Sequence, residues 1–230
     1  MPLASPPAPL TVVFDLDGTL VESAPDLVEA LAAAMAAEGL PRLPADEVRG
    51  MMGAGARALV ERGLRAEGVD LPEERMLELY RVFLDHYDAH IADRSHLFPG
   101  AEAALDRLAA SGAKLAICTN KLERFAVKLL GELGAADRFG AIVGGDTFGV
   151  AKPDPKPLIG AIERVGGDPA RAVMIGDSAT DVETAKAAGI PSVVMSFGYT
   201  TTPPRELGGD VVIDHFDELD DALRRLGLAA

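Results

Sequence analysis

The sequence predicts an α/β protein, a parallel sheet with helices on both faces, interrupted by one inserted all-helical block. Short apolar runs near 10–15, 114–119, 141–145, 172–176, 192–196 and 211–214 alternate with helical patterns near 100–111, 123–134, 155–165, 179–188 and 216–226. That alternation is what parallel strands joined by crossover helices require. Between the first two runs, residues 22–97 hold helical patterns and no strand pattern, a stretch too long for an ordinary crossover. Polar residues gather where the apolar runs stop, the edge at which open α/β sheets carry their chemistry.

The first run, Leu10-Thr11-Val12-Val13, leads into Phe14-Asp15-Leu16-Asp17-Gly18-Thr19-Leu20. Two carboxylates one residue apart at a strand end repel unless a cation lies between them. They suggest a hard divalent metal with oxygen ligands, most simply Mg²⁺. Taken alone, the motif is equally readable as an acidic turn built on Asp17-Gly18.

The stretch that follows reads as three helices, near 25–38, 46–67 and 73–93, joined to the sheet by hinges near 20–24 and 94–99. This divides the chain into a sheet domain, 1–20 with 97–230, and a helical cap, 21–96. Ala32-Ala33-Ala34 reflects helix propensity. Gly53-Ala54-Gly55 opens a helical run and could offer backbone amides to an anion, with Arg57 nearby, or serve only as a flexible joint. His86 and His90 are four apart on a helical pattern, but with no third ligand in view a solvated or packing role is expected.

After the insert, glycines at 112, 134, 166 and 189 fall where helices should stop. Lys114-Leu115-Ala116-Ile117-Cys118 runs into Thr119-Asn120, a hydroxyl and an amide able to bond phosphate oxygens. Cys118, the one cysteine, reads as core. Lys152 stands among prolines in Gly149-Val150-Ala151-Lys152-Pro153-Asp154-Pro155. Ala172-Val173-Met174-Ile175 leads into Gly176-Asp177-Ser178-Ala179-Thr180-Asp181, a second pair of carboxylates at the start of a helix. Four such motifs, in order along one edge of one sheet, argue for a single site.

Composition bounds the function. With 230 residues, 48% of them hydrophobic, the chain can bury a full core. A formal charge of −14 argues against a nucleic-acid partner, since no basic stripe is available to replace phosphate counterions. Any phosphate site must therefore make its own positive field. A single cysteine excludes an internal disulfide and suits a reducing cytoplasm. Met1 to Pro9 reads as a frayed, proline-rich tail and not a secretory signal, and no apolar run reaches membrane-spanning length.

The four motifs, Asp15/Asp17, Thr119, Lys152 and Asp177/Asp181, resemble those of the haloacid dehalogenase-like phosphohydrolases, and the likeness spans almost the whole chain. Within that family the chain is most similar to the branch acting on 2-phosphoglycolate, through the run from Asp15 to Leu27, Thr119-Asn120-Lys121 and Gly176-Asp177-Ser178. Glu22 and Leu122 stand where that branch usually has Asp and Pro. The resemblance implies a Rossmann-like core with a cap inserted between the first and second strands. It implies Asp15 as nucleophile, forming an aspartyl-phosphate, and Asp17 as general acid and base. It places Mg²⁺ on Asp15, the backbone carbonyl of Asp17 and Asp177, with Ser178 and Asp181 behind these ligands. Thr119, Asn120 and Lys152 would bind the phosphate, and Gly53, Gly55 and Arg57 the rest of a small phosphorylated metabolite.

Other activities of the family stay open at this point: pyrophosphatase, sugar-phosphate or nucleotide phosphatase, and a β-phosphoglucomutase-like mutase. A metal-free dehalogenase would not need Asp17, and a phosphonate hydrolase would need a cap lysine, of which 21–98 contains none. From another class, a phospho-acceptor receiver module gathers similar residues but leaves the insert unexplained. The expected assembly is a monomer or homodimer, without nucleic acid or membrane.

Overall fold

The computed structural model describes residues 8–228, so most of the expected N-terminal tail lies outside the described residues. Six parallel strands form the sheet: β1 (Thr11–Phe14), β4 (Lys114–Cys118), β5 (Ala141–Val143), β6 (Ala172–Gly176), β7 (Ser192–Met195) and β8 (Val211–Ile213). Their order is β5-β4-β1-β6-β7-β8. The expected α/β architecture is present, and β1 lies where the strand order reverses, the position at which such sheets open a crevice.

The sheet is buried on both sides, which explains its almost unbroken apolar strands. Successive residues of β1 serve opposite faces. Val12 and Phe14 pack with Leu115, Ile117, Val173 and Ile175. Val13 packs on the other face with Ala116, Cys118 and Met174, under Leu158 and Ile162 of α7 (Lys156–Arg164) and Ala185 of α8 (Ala179–Ala188). Cys118 is core as expected, and burial pushes its thiol up to about 12, leaving it unreactive. Helices α5 (Ala101–Ala110), α6 (Glu123–Glu132) and α9 (Leu219–Arg225) complete the layers. The last helical pattern, expected from 216, begins instead as a 3₁₀ turn over Phe216–Glu218.

The insertion after β1 contains α1 (Ala24–Ala37), α2 (Ala45–Arg49), α3 (Ala56–Ala66) and α4 (Glu73–Ala89). Here the structure corrects two expectations. The pattern at 46–67 is not one helix, because the chain between α2 and α3 passes through Gly53 and Gly55 at φ +99° and +88°. Side-chain-bearing residues rarely adopt such angles, and two of them in three residues end a helix. The junctions are also not strandless. β2 (Val21–Glu22) and β3 (His96–Leu97) pair antiparallel, Val21 with Leu97 and Glu22 with His96.

Leu31 and Met35 of α1 and Leu79 and Phe83 of α4 are buried in the same apolar cluster as Phe14 and Ile175 of the sheet. His86 and His90 stack at 4.7 Å on α4, and His90 pairs with Asp93. Among the described residues they belong to no group spaced to hold a metal.

Candidate active site

Register brings the motifs level. Phe14 of β1 faces Ile117 of β4 and Ile175 of β6, so the residues just beyond them emerge together at the crevice. The Asp15 amide still donates to the Ile175 carbonyl at 2.8 Å, fixing the first carboxylate at the end of the central strand. Asp15, Thr119, Lys152, Asp177 and Asp181 are all buried there.

Asp177 is held from two sides. Its Oδ1 accepts from the Thr19 hydroxyl and its Oδ2 from the Tyr199 amide, both at 2.8 Å. The backbone bearing Tyr199 comes so near that a Cβ on Gly198 would lie 2.2 Å from the Asp177 Cβ. Asp181 begins α8 together with Ser178. Its Oδ2 accepts from the Asp177 amide (3.2 Å), the Ser178 amide (3.1 Å) and the Ser178 hydroxyl (2.6 Å), while Oδ1 takes the Lys152 ammonium at 2.6 Å. Both Asp181 oxygens are thus engaged within the protein.

Lys152 Nζ also lies 2.9 Å from Asp15 Oδ1, so one ammonium is shared between Asp15 and Asp181. Burial, Asp181 and Asp17 raise Asp15 to about 6, although Lys152 opposes them. Burial again, with Asp181 and Asp15, raises Asp177 to about 8. Burial alone would lower the Lys152 pKa, but Asp15 and Asp181 outweigh it and keep the group an ammonium.

One oxygen from each of Asp15, Asp177 and Asp181 lies within 4.8 Å of the others. Two unit charges 4 Å apart interact by roughly 4 kcal/mol at an effective dielectric near 20. Three buried carboxylates this crowded, with one lysine between them, fit a hard divalent cation with oxygen ligands. Asp181 already takes four donors, the Lys152 ammonium among them, whereas each Asp177 oxygen takes a single neutral donor, so Asp15 and Asp177 keep more capacity for a cation.

Asp17 has a different setting. Both its oxygens receive the Lys121 ammonium at 2.8 Å, and Oδ1 also accepts from the Ser23 hydroxyl at 2.5 Å. Its side chain is turned to this buried cation and away from the acidic group. Thr119 is buried beside it, its hydroxyl accepting from the Lys121 amide at 3.2 Å.

The remaining expected contacts divide. The Asn120 amide bonds the Lys152 backbone on both sides, at 2.9 Å from its N–H and 3.1 Å to its carbonyl, and reaches the Gly53 carbonyl at 3.1 Å. Asn120 therefore ties the lysine loop to the insert, where a phosphate contact was expected. Gly53 and Gly55 line a cavity of about 50 Å³ between the insert and the sheet, with Asp15, Asp17, Thr119 and Asn120. Arg57 is not brought to it. Its guanidinium pairs with Glu61 and Glu73 at 2.8 and 2.7 Å on the exposed side of the insert.

Replacing Asn120 by Ala is expected to lower stability by about 1–3 kcal/mol in denaturant and to speed amide exchange at residues 50–55. Unchanged exchange there would show that Asn120 does not hold that loop.

Several organising side chains were not singled out from the sequence. Lys121 and Ser23 lie inside runs already quoted, so a charge balance around Asp17 could have found them. Tyr199 had no local signal. Its hydroxyl accepts from the Ser23 and Ala24 amides at 2.8 and 2.9 Å and lies 3.0 Å from Glu22 Oε1. Glu22 in turn holds Arg49 of α2 through two bonds of 3.0 and 2.9 Å.

A crevice at the strand reversal, carrying an acidic group with a buried lysine, is the site of a hydrolase class, and the chain belongs to the haloacid dehalogenase-like hydrolase family, whose model matches residues 10–189. It is 49% identical to a phosphoglycolate phosphatase from Caulobacter vibrioides over 92% of this chain and 90% of that one. A phosphoglycolate phosphatase from Agrobacterium fabrum is 43% identical over 96% and 95%. The crystal structure of a predicted phosphoglycolate phosphatase from Haemophilus somnus superposes with a TM-score of 0.87 at 29% identity, covering 93% of this chain and 97% of that one.

Proposed function

We propose that this chain is a cytoplasmic, Mg²⁺-dependent phosphatase that cleaves a small phosphate monoester, 2-phosphoglycolate, through a phosphorylated Asp15. The observation that carries this reading is the buried Asp15 carboxylate at the end of the central strand, grouped with Asp177 and Asp181 within 4.8 Å and paired with Lys152 at 2.9 Å. Relatives at 49% and 43% identity bear the corresponding name.

In the first step an Asp15 oxygen bonds to phosphorus, the ester P–O bond breaks, and the departing glycolate oxygen takes a proton from Asp17. In the second, water bonds to that phosphorus, the Asp15 C–O–P link breaks at phosphorus, and Asp17 recovers a proton from the water. Lys152 and Thr119 hold the non-bridging oxygens as the phosphoryl group flattens. When bound to Asp15, Asp177 and the Asp17 carbonyl, Mg²⁺ supplies the positive charge that lets a phosphate dianion enter among carboxylates. Residues 21–96 act as a cap on the β2–β3 ribbon, excluding water while the acyl phosphate exists.

The test is kcat/KM across 2-phosphoglycolate, pyrophosphate, hexose phosphates and nucleotides. The first is expected to rank highest, and a low rank would reject the substrate. Release of phosphate only once per protein molecule would instead mark a phospho-acceptor module.

Metal removal gives a further prediction. Chelation is expected to abolish turnover and Mg²⁺ to restore it, while activity that survives exhaustive chelation would reject the metal. Asp15 and Asp177 are raised to about 6 and about 8 in the fold, against about 4 for an unfolded carboxylate. Their contribution to stability is therefore full below pH 4 and is lost as pH rises through 6 and 8. Mg²⁺ is expected to raise Tm more at pH 8 than at pH 5.

A further inference from the structure

Tyr87 and Lys121 meet on the cavity wall, one from α4 of the insert and one from the loop after β4. Tyr87 is 1% exposed, and its hydroxyl, beside the Lys121 ammonium, has no hydrogen-bond acceptor among the described residues. Its ring is fixed against Phe125, edge-on at 5.5 Å, and Phe83, stacked at 6.2 Å, so the hydroxyl cannot easily turn elsewhere. The Lys121 ammonium lies 4.7 Å from the ring centre and can only donate, so the phenolic proton is left without an acceptor. Buried hydroxyls are rarely left in this state, because losing the bond to water costs as much as a hydrogen bond returns.

What is missing at this wall is an acceptor, and charge says which kind. Of the residues lining the cavity, Asp15 and Asp17 carry carboxyl groups and Lys121 is the cation. Lys121 has three donors, of which Asp17 occupies two. An anionic group on a ligand is repelled from the Asp15 side and drawn toward the third donor, next to Tyr87.

We infer that Tyr87 and Lys121 form a carboxylate-binding subsite, which reads an anionic group on the substrate beyond its phosphate. This rests on the phosphatase reading above and adds the residues that select the leaving group. The cap then contributes specificity through Tyr87, and the guanidinium of Arg57, committed elsewhere, has no part in it.

The experiment measures kcat/KM for 2-phosphoglycolate, 3-phosphoglycerate, 2-hydroxyethyl phosphate and ethyl phosphate with the Mg²⁺-loaded wild type and Tyr87→Phe. This variant removes one oxygen, leaves Asp17 and Lys121 in place, and is expected to melt no lower than the wild type. The ratio of 2-phosphoglycolate to 2-hydroxyethyl phosphate is expected to fall about 10-fold or more, the worth of a hydrogen bond to a charged group. A ratio within twofold of the wild type would overturn the subsite, leaving the phosphatase reading intact if 2-phosphoglycolate is still cleaved efficiently. A wild type without preference for carboxylates would overturn it as well. If 3-phosphoglycerate were preferred and Tyr87→Phe erased that preference, the subsite would stand and the choice of 2-phosphoglycolate would fall.

Discussion

Asp15→Asn is expected to lower kcat by on the order of 10⁴-fold or more, the scale on which loss of a catalytic nucleophile is felt. The substitution keeps shape and backbone bonding at the end of β1 but replaces the attacking carboxylate oxygen with an amide, which forms no acyl phosphate. It should not unfold the protein, since it removes one negative charge from a group whose members repel. The metal-free variant is expected to melt at or above the wild-type temperature at pH 8. Mass spectrometry of rapidly quenched wild type should find the phosphoryl group on Asp15 and on no other residue. Turnover by the variant above one hundredth of wild type, or a label elsewhere, would reject Asp15 as nucleophile.

Lys152→Ala is expected to reduce kcat by about 10²- to 10³-fold through loss of charge stabilisation at the transferred group. The change is also expected to weaken the fold, because Lys152 is buried and pairs with both Asp15 and Asp181. Removing one partner of a buried pair leaves uncompensated charge and costs about 3–5 kcal/mol. Denaturant unfolding without metal should register that loss, and Mg²⁺ should recover part of it through Asp15. Stability within 1 kcal/mol of wild type would show that the lysine is less committed to its carboxylates than the geometry indicates.

The sheet was legible because buried parallel strands leave continuous apolar runs, and because the polar break after each run marks the crevice. Phe14 before Asp15, Cys118 before Thr119 and Gly176 before Asp177 each told where a strand ended. The buried carboxylates Asp15 and Asp177 were legible for the same reason. Where the reading failed, the governing interaction was nonlocal or too short to leave a period. A two-residue ribbon such as Val21–Glu22 against His96–Leu97 has no alternation to detect. The break between α2 and α3 was signalled by Gly53 and Gly55, but the surrounding residues are good helix formers and hid it. The bonds that Asn120 makes to Gly53 and Lys152 were not legible, because these backbone groups belong to segments distant in sequence. Arg57 failed in the opposite way: its own helix supplied Glu61, and a neighbouring helix Glu73, so its charge was satisfied before it could reach a ligand.

The helical insert is fastened unequally along its two margins. Beside β7, Tyr199 grips the first turn of α1 through two amides and continues through Glu22 to Arg49, while its own amide holds Asp177. Facing the lysine loop, Asn120 bonds the Gly53 carbonyl, and further along Lys128 of α6 holds the exposed Asp88 of α4 through its carboxylate and carbonyl, both at 2.7 Å. A swing of the insert is therefore expected to cost least if it behaves as a door, unbolted at Gly53 and at the solvent-exposed Asp88 and turning about Tyr199 as its pin.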